Sequence, residues 1–390
     1  MVKIWCLLWI TGMLALAPCR AQRTPVPGAN RMEQYLHLLE GKRIAVFANQ
    51  TSLVGSTHLV DTLLKKGIRV VRIFSPEHGF RGNADAGEEV AGGRDSATGL
   101  EVVSLYGNHL KPTAADLRDI DVLVFDIQDV GVRWYTYISS LQYYLQAAME
   151  NGKPLVLLDR PDPNGFYIDG PVLDTHFRSF VGMQPIPVVY GMTLGEYARM
   201  LLGEKWVAAT PAPGFHLFII PCLDYTHHSR YVLPVKPSPN LPDMQSVYLY
   251  PSLCLFEGTP VSVGRGTSRP FQCFGHPSFP PGGYSFTPHS IPGAKNPPQK
   301  DQTCYGYDLS GLELPRALDG RVQLRWLLEA YRVFPDKDAF FNAFFTKLAG
   351  SDQLAAQIKA GLSETAIRRS WEPGIRAFKT IRAKYLLYPE

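Results

Sequence analysis

The sequence predicts an α/β protein: a Rossmann-like, mostly parallel sheet with helices on both faces, followed by a smaller C-terminal α+β domain. Three observations carry this. Short apolar runs alternate with amphipathic helical patterns through the first half of the chain, the order that builds parallel sheets from strand–helix–strand units. Several runs are almost purely apolar rather than alternating, as strands covered on both faces must be. After about residue 235 the texture changes, first to prolines and glycines and then to helical stripes rich in phenylalanine.

In order, residues 43–48 read as a buried strand, after which Leu59, Val60, Leu63 and Leu64 share one face of a helix. Residues 70–74, 101–106 and 122–127 are the next strands. A longer helix after Trp134 aligns Ile138, Leu141, Leu145 and Ala148, and Asn151-Gly152 stops it before a strand at 155–158. Pro234, Pro237, Pro239 and Pro242 mark a hinge or a shaped loop, and residues 272–299, dense in proline and glycine, are expected to be irregular. Leu324, Leu327, Leu328 and Tyr331 share a helical face, as do Phe340, Phe341, Phe344, Phe345 and Leu348. These signals place a Rossmann-like domain at 31–240 and the smaller domain at 245–390.

The chain opens with Lys3 and an apolar run over 4–17 broken only by Thr11 and Gly12, shorter than the roughly 20 residues that span a bilayer. With the small residues before Ala21-Gln22, residues 1–21 read as a secretory signal peptide and the mature protein as periplasmic. A rival reading lipidates Cys19 in Leu16-Ala17-Pro18-Cys19, although proline just before such a cysteine is unusual. No later run suggests a membrane span. The formal charge is +4, and losing Lys3 and Arg20 lowers it further, a balance that points to neither nucleic acid nor an anionic membrane as partner. Cys222, Cys254, Cys273 and Cys304 lack CxxC spacing, which argues against zinc, and at most one disulfide is expected.

In open parallel sheets ligands bind beyond the carboxyl ends of the strands. Asn49-Gln50-Thr51 end the first strand, and Glu77, His78 and Arg81 follow the second. Asp126, Gln128, Asp129 and Arg133 end the fourth, and Asp159, Arg160, Asp162 and Asn164 the fifth. One polar strand end is ordinary, since a strand must meet water; four point to a cleft. The first strand lacks GxGxxG, and no helix pattern follows Gly264-Arg265-Gly266-Thr267, so a dinucleotide cofactor is disfavoured. GxSxG is absent. Glu77, His78 and Asp85 lack the spacing of a helical metal motif, so neither metal nor cofactor is expected.

Carbohydrate chemistry fits this inventory better. Glycoside cleavage needs a carboxylic acid to protonate the leaving oxygen and usually a second carboxylate across the sugar ring. Glu77 sits in a turn fixed by Pro76 and Gly79, where it would act as the acid or else simply bond Arg81. Asp126, Asp129, Glu196 and Glu257 are the possible partners, although Thr193 with Glu196 also reads as a capping box. Trp134, Tyr135, Tyr137, Tyr143 and Tyr144 are sugar platforms or core.

The strings SPEHGFRG at 75–82, FDIQDVGVRWYTY at 125–137, LDRPDPNG at 158–165, YGMTLGE at 190–196, SPNLP at 238–242 and FEGTPVSVGRGTSRPF at 256–271 resemble the NamZ-type exo-β-N-acetylmuramidases, in order and from about residue 40 to the C-terminus. The resemblance implies an envelope hydrolase that removes terminal, non-reducing N-acetylmuramic acid from peptidoglycan chains or fragments, its active site lying between a Rossmann-like and a smaller domain. It implies Glu77 as the catalytic glutamate with His78 beside it, Asp129 and Arg133 from QDVGVR, Glu257 from FEGT, and Arg265 and Thr267 from GRGT. Asn49, Asp126, Gln128, Tyr135, Arg160 and Asn240 are the further expected sugar contacts. Muramic acid carries a lactyl carboxylate, and Arg133, Arg265 and Arg269 are the candidates to read it. Asp162, where the family often has Asn, and Tyr190, where some members have His, depart from the pattern and bear on fine substrate preference. Two other classes stay open: a silent glycan-binding module, and a metal-dependent amidase or esterase acting on wall material.

Overall fold

The computed structural model describes residues 23–77, 79–81, 92–314 and 318–390. The expected signal peptide, Cys19, His78 and Asp85 lie outside them. The main sheet has seven strands: β1 (Arg43–Ala48), β4 (Arg69–Ser75), β5 (Gly93–Arg94), β6 (Glu101–Ser104), β7 (Val122–Asp126), β8 (Leu155–Leu158) and β9 (Leu217–Ile220). β2 (Leu53–Val54) and β3 (Thr57–His58) form a separate small hairpin. The spatial order is β5-β6-β4-β1-β7-β8-β9, and only the pairing of β5 with β6 is antiparallel. The six parallel strands thus follow the doubly wound 3-2-1-4-5-6 order, whose switch point falls between β1 and β7.

The apolar runs work because each strand feeds two cores. Ala45 and Phe47 of β1, Leu123 and Phe125 of β7, and Leu155 and Leu157 of β8 enter one cluster, whereas Ile44, Val46 and Ala48, Val122 and Val124, and Val156 and Leu158 enter the other. The first is covered by α3 (Tyr137–Glu150) and α4 (Leu194–Gly203), the second by α1 (Leu36–Leu39) and α2 (Leu59–Lys65). Phe47 stacks on Phe125 at 4.7 Å, and Tyr144 of α3 meets both rings and Phe74. Full burial of one such ring stabilises the fold by roughly 1.5–3 kcal/mol.

The smaller domain opens with α5 (Met244–Leu253), which runs into a 3₁₀ turn at Cys254–Gly258. Its sheet is antiparallel, in the order β10-β12-β11 (Cys273–His276, Cys304–Asp308 and Tyr284–Phe286). Residues 272–299 are therefore not irregular throughout: β10 and β11 both fall inside them. The helices are α6 (Arg325–Val333), α7 (Ala343–Ala349), α8 (Gln353–Lys359) and α9 (Glu364–Arg382). Phe340 and Phe341 precede α7 rather than belonging to it, because the Asn342 side chain accepts from Phe344 N and starts the helix there. The 3₁₀ turn packs on α7 so closely that a Cβ on Gly258 would lie 2.4 Å from Phe345 Cα. Phe256, Phe274 and Phe345 share one continuous core with Phe47 and Phe125. Cys222, Cys254, Cys273 and Cys304 are free and buried. Among the described residues no helix is long and apolar enough to cross a membrane.

Candidate active site

A cleft of about 930 Å³ is lined by residues of both domains. From the sheet side come Glu77, Tyr106, Tyr135, Thr136 and Tyr137; the proline-punctuated loop adds Ser238, Asn240 and Leu241; the second domain brings Tyr250, Glu257, Arg265, Phe271 and the segment 293–298.

Glu77 sits two residues past β4, in a turn closed by Gly79 N donating to Pro76 O at 3.0 Å. Gly79 has φ +72°, a left-handed conformation that favours glycine. Glu77 is half-buried, and its described neighbours are hydroxyls: Thr136 Oγ1 donates to Oε2 at 3.5 Å, and Tyr106 hydrogen-bonds the same carboxylate. Burial first, and then the charge of Glu77, raise the Tyr106 pKa. Thr136 occupies the N-cap position of α3 without capping it. Arg81, the rival partner suggested by the sequence, pairs with Asp95 through Nε and Nη2 at 3.0 and 2.8 Å.

Glu257 lies on the 3₁₀ turn that follows α5. Its Oε1 accepts from Arg265 Nε at 2.7 Å and stands 2.6 Å from Nη2, while the Cys254 thiol donates to Oε2 at 3.4 Å. The guanidinium lies 5.0 Å from the centre of the Phe271 ring, a cation–π contact. Glu77 thus meets the hydroxyls of Thr136 and Tyr106, and Glu257 meets the Arg265 cation.

Of the residues expected from sequence, Glu77, Glu257, Trp134, Tyr135, Tyr137, Asn240 and Arg265 share the cleft wall; Asn49, Asp126, Gln128, Asp129, Arg133, Arg160, Thr267 and Arg269 do not line it. Asn49 supports the wall from behind: it is buried, and its Nδ2 donates to the Tyr137 hydroxyl at 2.8 Å. Asp126 forms a buried ion pair with Arg160, at 2.7 and 2.8 Å. Gln128 donates to the carbonyls of Asp129 and Pro161. Thr267 closes its own turn by donating to Gly264 O, and Arg269 holds Asp308 at 2.6 Å and Ser310 at 2.9 Å.

Asp129 is buried, and its Oδ2 accepts from Gly131 N at 2.7 Å and from the Tyr190 hydroxyl at 2.5 Å. Burial pushes its pKa up to about 7. Burial, and then the charge of Asp129, push Asp162 well above the usual carboxylate range. The two departures from the family pattern therefore meet at one buried carboxylate.

Arg133 corrects the sequence reading. It is fully buried, and its guanidinium donates to the carbonyls of Pro171, Ile186, Leu348 and Ala349, so it joins the domains instead of facing a sugar. Glu196 is likewise structural. It completes the capping box with Thr193, and its Oε1 accepts from Leu387 N at 2.8 Å and Tyr388 N at 3.3 Å. The Tyr388 hydroxyl donates to Asp159 Oδ2 at 2.5 Å.

Tyr106, Thr136, Tyr250 and Lys295 line the cleft without having been singled out from sequence. The strand-end rule would have found Tyr106, which follows β6. Among the described residues no cluster of three or more His, Cys, Asp or Glu side chains is placed to hold a metal.

Fold and site together define a two-domain α/β protein in which a carboxylate from each domain faces one aromatic-walled cleft. The chain belongs to the exo-β-N-acetylmuramidase NamZ family: models of the family's N-terminal and C-terminal parts match residues 44–245 and 248–388. This is the family that the motifs resemble. The chain is 37% identical over 382 residues to the peptidoglycan β-N-acetylmuramidase NamZ of Bacillus subtilis (strain 168), covering 92% of this chain and 89% of that protein. Two solved structures of DUF1343 family proteins from Bacteroides fragilis NCTC 9343 share the fold. One has a TM-score of 0.88 at 46% identity and covers 94% of this chain and all of its own. The other has a TM-score of 0.77 at 28% identity and covers 93% of this chain and 99% of its own.

Proposed function

We propose that this protein is an exported exo-β-N-acetylmuramidase that releases terminal, non-reducing N-acetylmuramic acid from peptidoglycan chains or fragments. Family membership and the 37% identity to the Bacillus subtilis peptidoglycan muramidase support the reaction class. The observation that carries the mechanism is that Glu77 and Glu257 face one cleft from opposite domains. Glu77, hydrogen-bonded by Thr136 and Tyr106, gives its proton to the glycosidic oxygen as the bond breaks. Glu257, countered by Arg265, supplies the anion opposite the positive charge that develops on the sugar. Tyr135, Tyr137 and Tyr250 give the ring aromatic walls.

Turnover of a 4-nitrophenyl β-N-acetylmuramide by the purified mature protein tests the reading. Release of nitrophenol together with free N-acetylmuramic acid is expected, and its absence at high enzyme concentration would remove the proposal. Export rests on residues 1–21, and N-terminal sequencing of the mature protein should begin at or near Gln22. Retention of Met1 would refute export, and a lipid on Cys19 would replace signal cleavage after Ala21.

A further inference from the structure

The cleft wall carries two groups of aromatic side chains, one reaching each carboxylate. Tyr135, Tyr137, Tyr250 and Phe271 form the first. They are buried and meet edge to face at 4.6, 6.1 and 5.0 Å, and the guanidinium that holds Glu257 lies against Phe271. Tyr106 and Phe180 form the second, with ring centroids 6.2 Å apart, and Tyr106 hydrogen-bonds Glu77. Both of these rings are half-buried, and the exposed Phe344 of α7 lines the same cleft from the second domain.

Phe180 stands where turn chemistry does not call for it. Ser179 and Gly182 exchange both backbone hydrogen bonds at 3.0 Å, which makes Phe180 and Val181 the two residues at the tip of a tight turn. Such positions favour glycine, asparagine, aspartate, proline or serine. A half-buried Phe-Val tip instead offers apolar surface to a ligand in the cleft it lines. The tip is also anchored. Ser139 Oγ of α3 donates to Phe180 O at 2.7 Å, and the ring of Tyr143, on the same helix, lies nearly parallel to that of Phe180 at 6.3 Å.

A general acid protonates the oxygen that joins two sugars, so the departing ring lies on the acid's side of the bond. An enzyme that removes only the terminal sugar holds it at the closed end of its cleft and lets the rest of the chain leave by the open end. The buried aromatic group is the closed end, and the half-buried group beside Glu77 is the open one. Tyr106, Phe180, Val181 and Phe344 carry no charge, which matches a neutral N-acetylglucosamine ring whose C–H face lies on an aromatic surface.

We propose that Phe180, with Tyr106, is the platform for the departing N-acetylglucosamine; this rests on the muramidase function proposed above. The test compares kcat/KM for the disaccharide in which N-acetylmuramic acid is β-linked to N-acetylglucosamine and for methyl β-N-acetylmuramide, whose leaving alcohol also needs protonation but offers no ring. Wild type should prefer the disaccharide. Phe180→Ala should lose about three- to tenfold on the disaccharide, the size of one aromatic contact, and under about twofold on the methyl glycoside. Phe180→Leu keeps apolar bulk against Tyr143 and should show the same selective loss, which separates loss of the ring face from loss of the fold, and Phe180→Trp should retain the preference. An equal loss on both substrates in Phe180→Leu, an unchanged ratio, or no preference in wild type overturns this inference and leaves the muramidase reading standing. A wild type inert on both substrates overturns both.

Discussion

Arg265 grips Glu257 at a single carboxylate oxygen, with Nε at 2.7 Å and Nη2 at 2.6 Å from Oε1, so that two second-domain residues share one charge-compensated unit at the cleft. Glu257→Gln should lower kcat at least about a hundredfold on good and poor leaving groups alike, because the opposing carboxylate acts on the sugar and not on the departing oxygen. Arg265→Met should cost about tenfold or more, and Arg265→Lys should recover only part of it, since a point charge does not reproduce two fixed donors. Steady-state kinetics on both substrate types checks this. Wild-type kcat in Arg265→Met would reduce the pair to a structural role.

Glu77→Gln removes the transferable proton while keeping the shape that meets Thr136 and Tyr106. General acid catalysis contributes typically about 10²–10⁴-fold. The loss in kcat should therefore reach at least about a hundredfold on a sugar leaving group and shrink on an activated aryl one. Unfolding free energy should change by less than about 0.5 kcal/mol, as for other near-surface isosteric changes. An equal loss on both leaving groups would recast Glu77 as nucleophile or base.

The Asp129–Asp162–Tyr190 cluster predicts a stability profile with a definite sign. With its pKa pushed up to about 7 by burial, folded Asp129 keeps a proton that the unfolded chain releases near its ordinary value of 3.8. Its contribution should fall as pH rises from about 4 to about 7 and then level off, with a slope of at most about 1.4 kcal/mol per pH unit for one proton. Asp162 is shifted in the same direction. The difference in unfolding free energy between wild type and Asp129→Asn, followed by urea titration, should change across that window and be flat above it. A pH-independent difference would mean that Asp129 ionises as freely in the fold as outside it.

Arg133→Met should behave as a folding variant. It strips hydrogen bonds from buried carbonyls in both domains, and breaking a buried charged network costs about 3–5 kcal/mol. Its denaturation midpoint should drop while KM for muramides stays near wild type in the protein that folds. A raised KM with an unchanged midpoint would return Arg133 to the sugar pocket.

What the sequence reveals of this fold follows burial. β1, β7 and β8 are legible because both faces are covered, which leaves uninterrupted apolar runs. β9 lies at the sheet edge with Phe218 exposed, behind a run of alanine, proline and glycine that has the texture of a loop. β10 and β11 hide among prolines and glycines because a small three-stranded sheet with partly exposed strands needs no apolar run. In the site, Glu77 is legible from its place beyond a buried strand next to the switch point. Arg133 is not, because its acceptors are backbone carbonyls 38 to 216 residues away, and every residue has a carbonyl.

The contact between Tyr388 and Asp159 spans 229 positions, and Glu196 waits likewise for the amides of Leu387 and Tyr388. These partners are synthesised long after β8 and α4, so until then Asp159 and Glu196 rely on nearer donors, among them Thr193 and Gly195. Completion of the first domain is thereby tied to the segment around Tyr388, and a change in that segment acts at β8 and the start of α4.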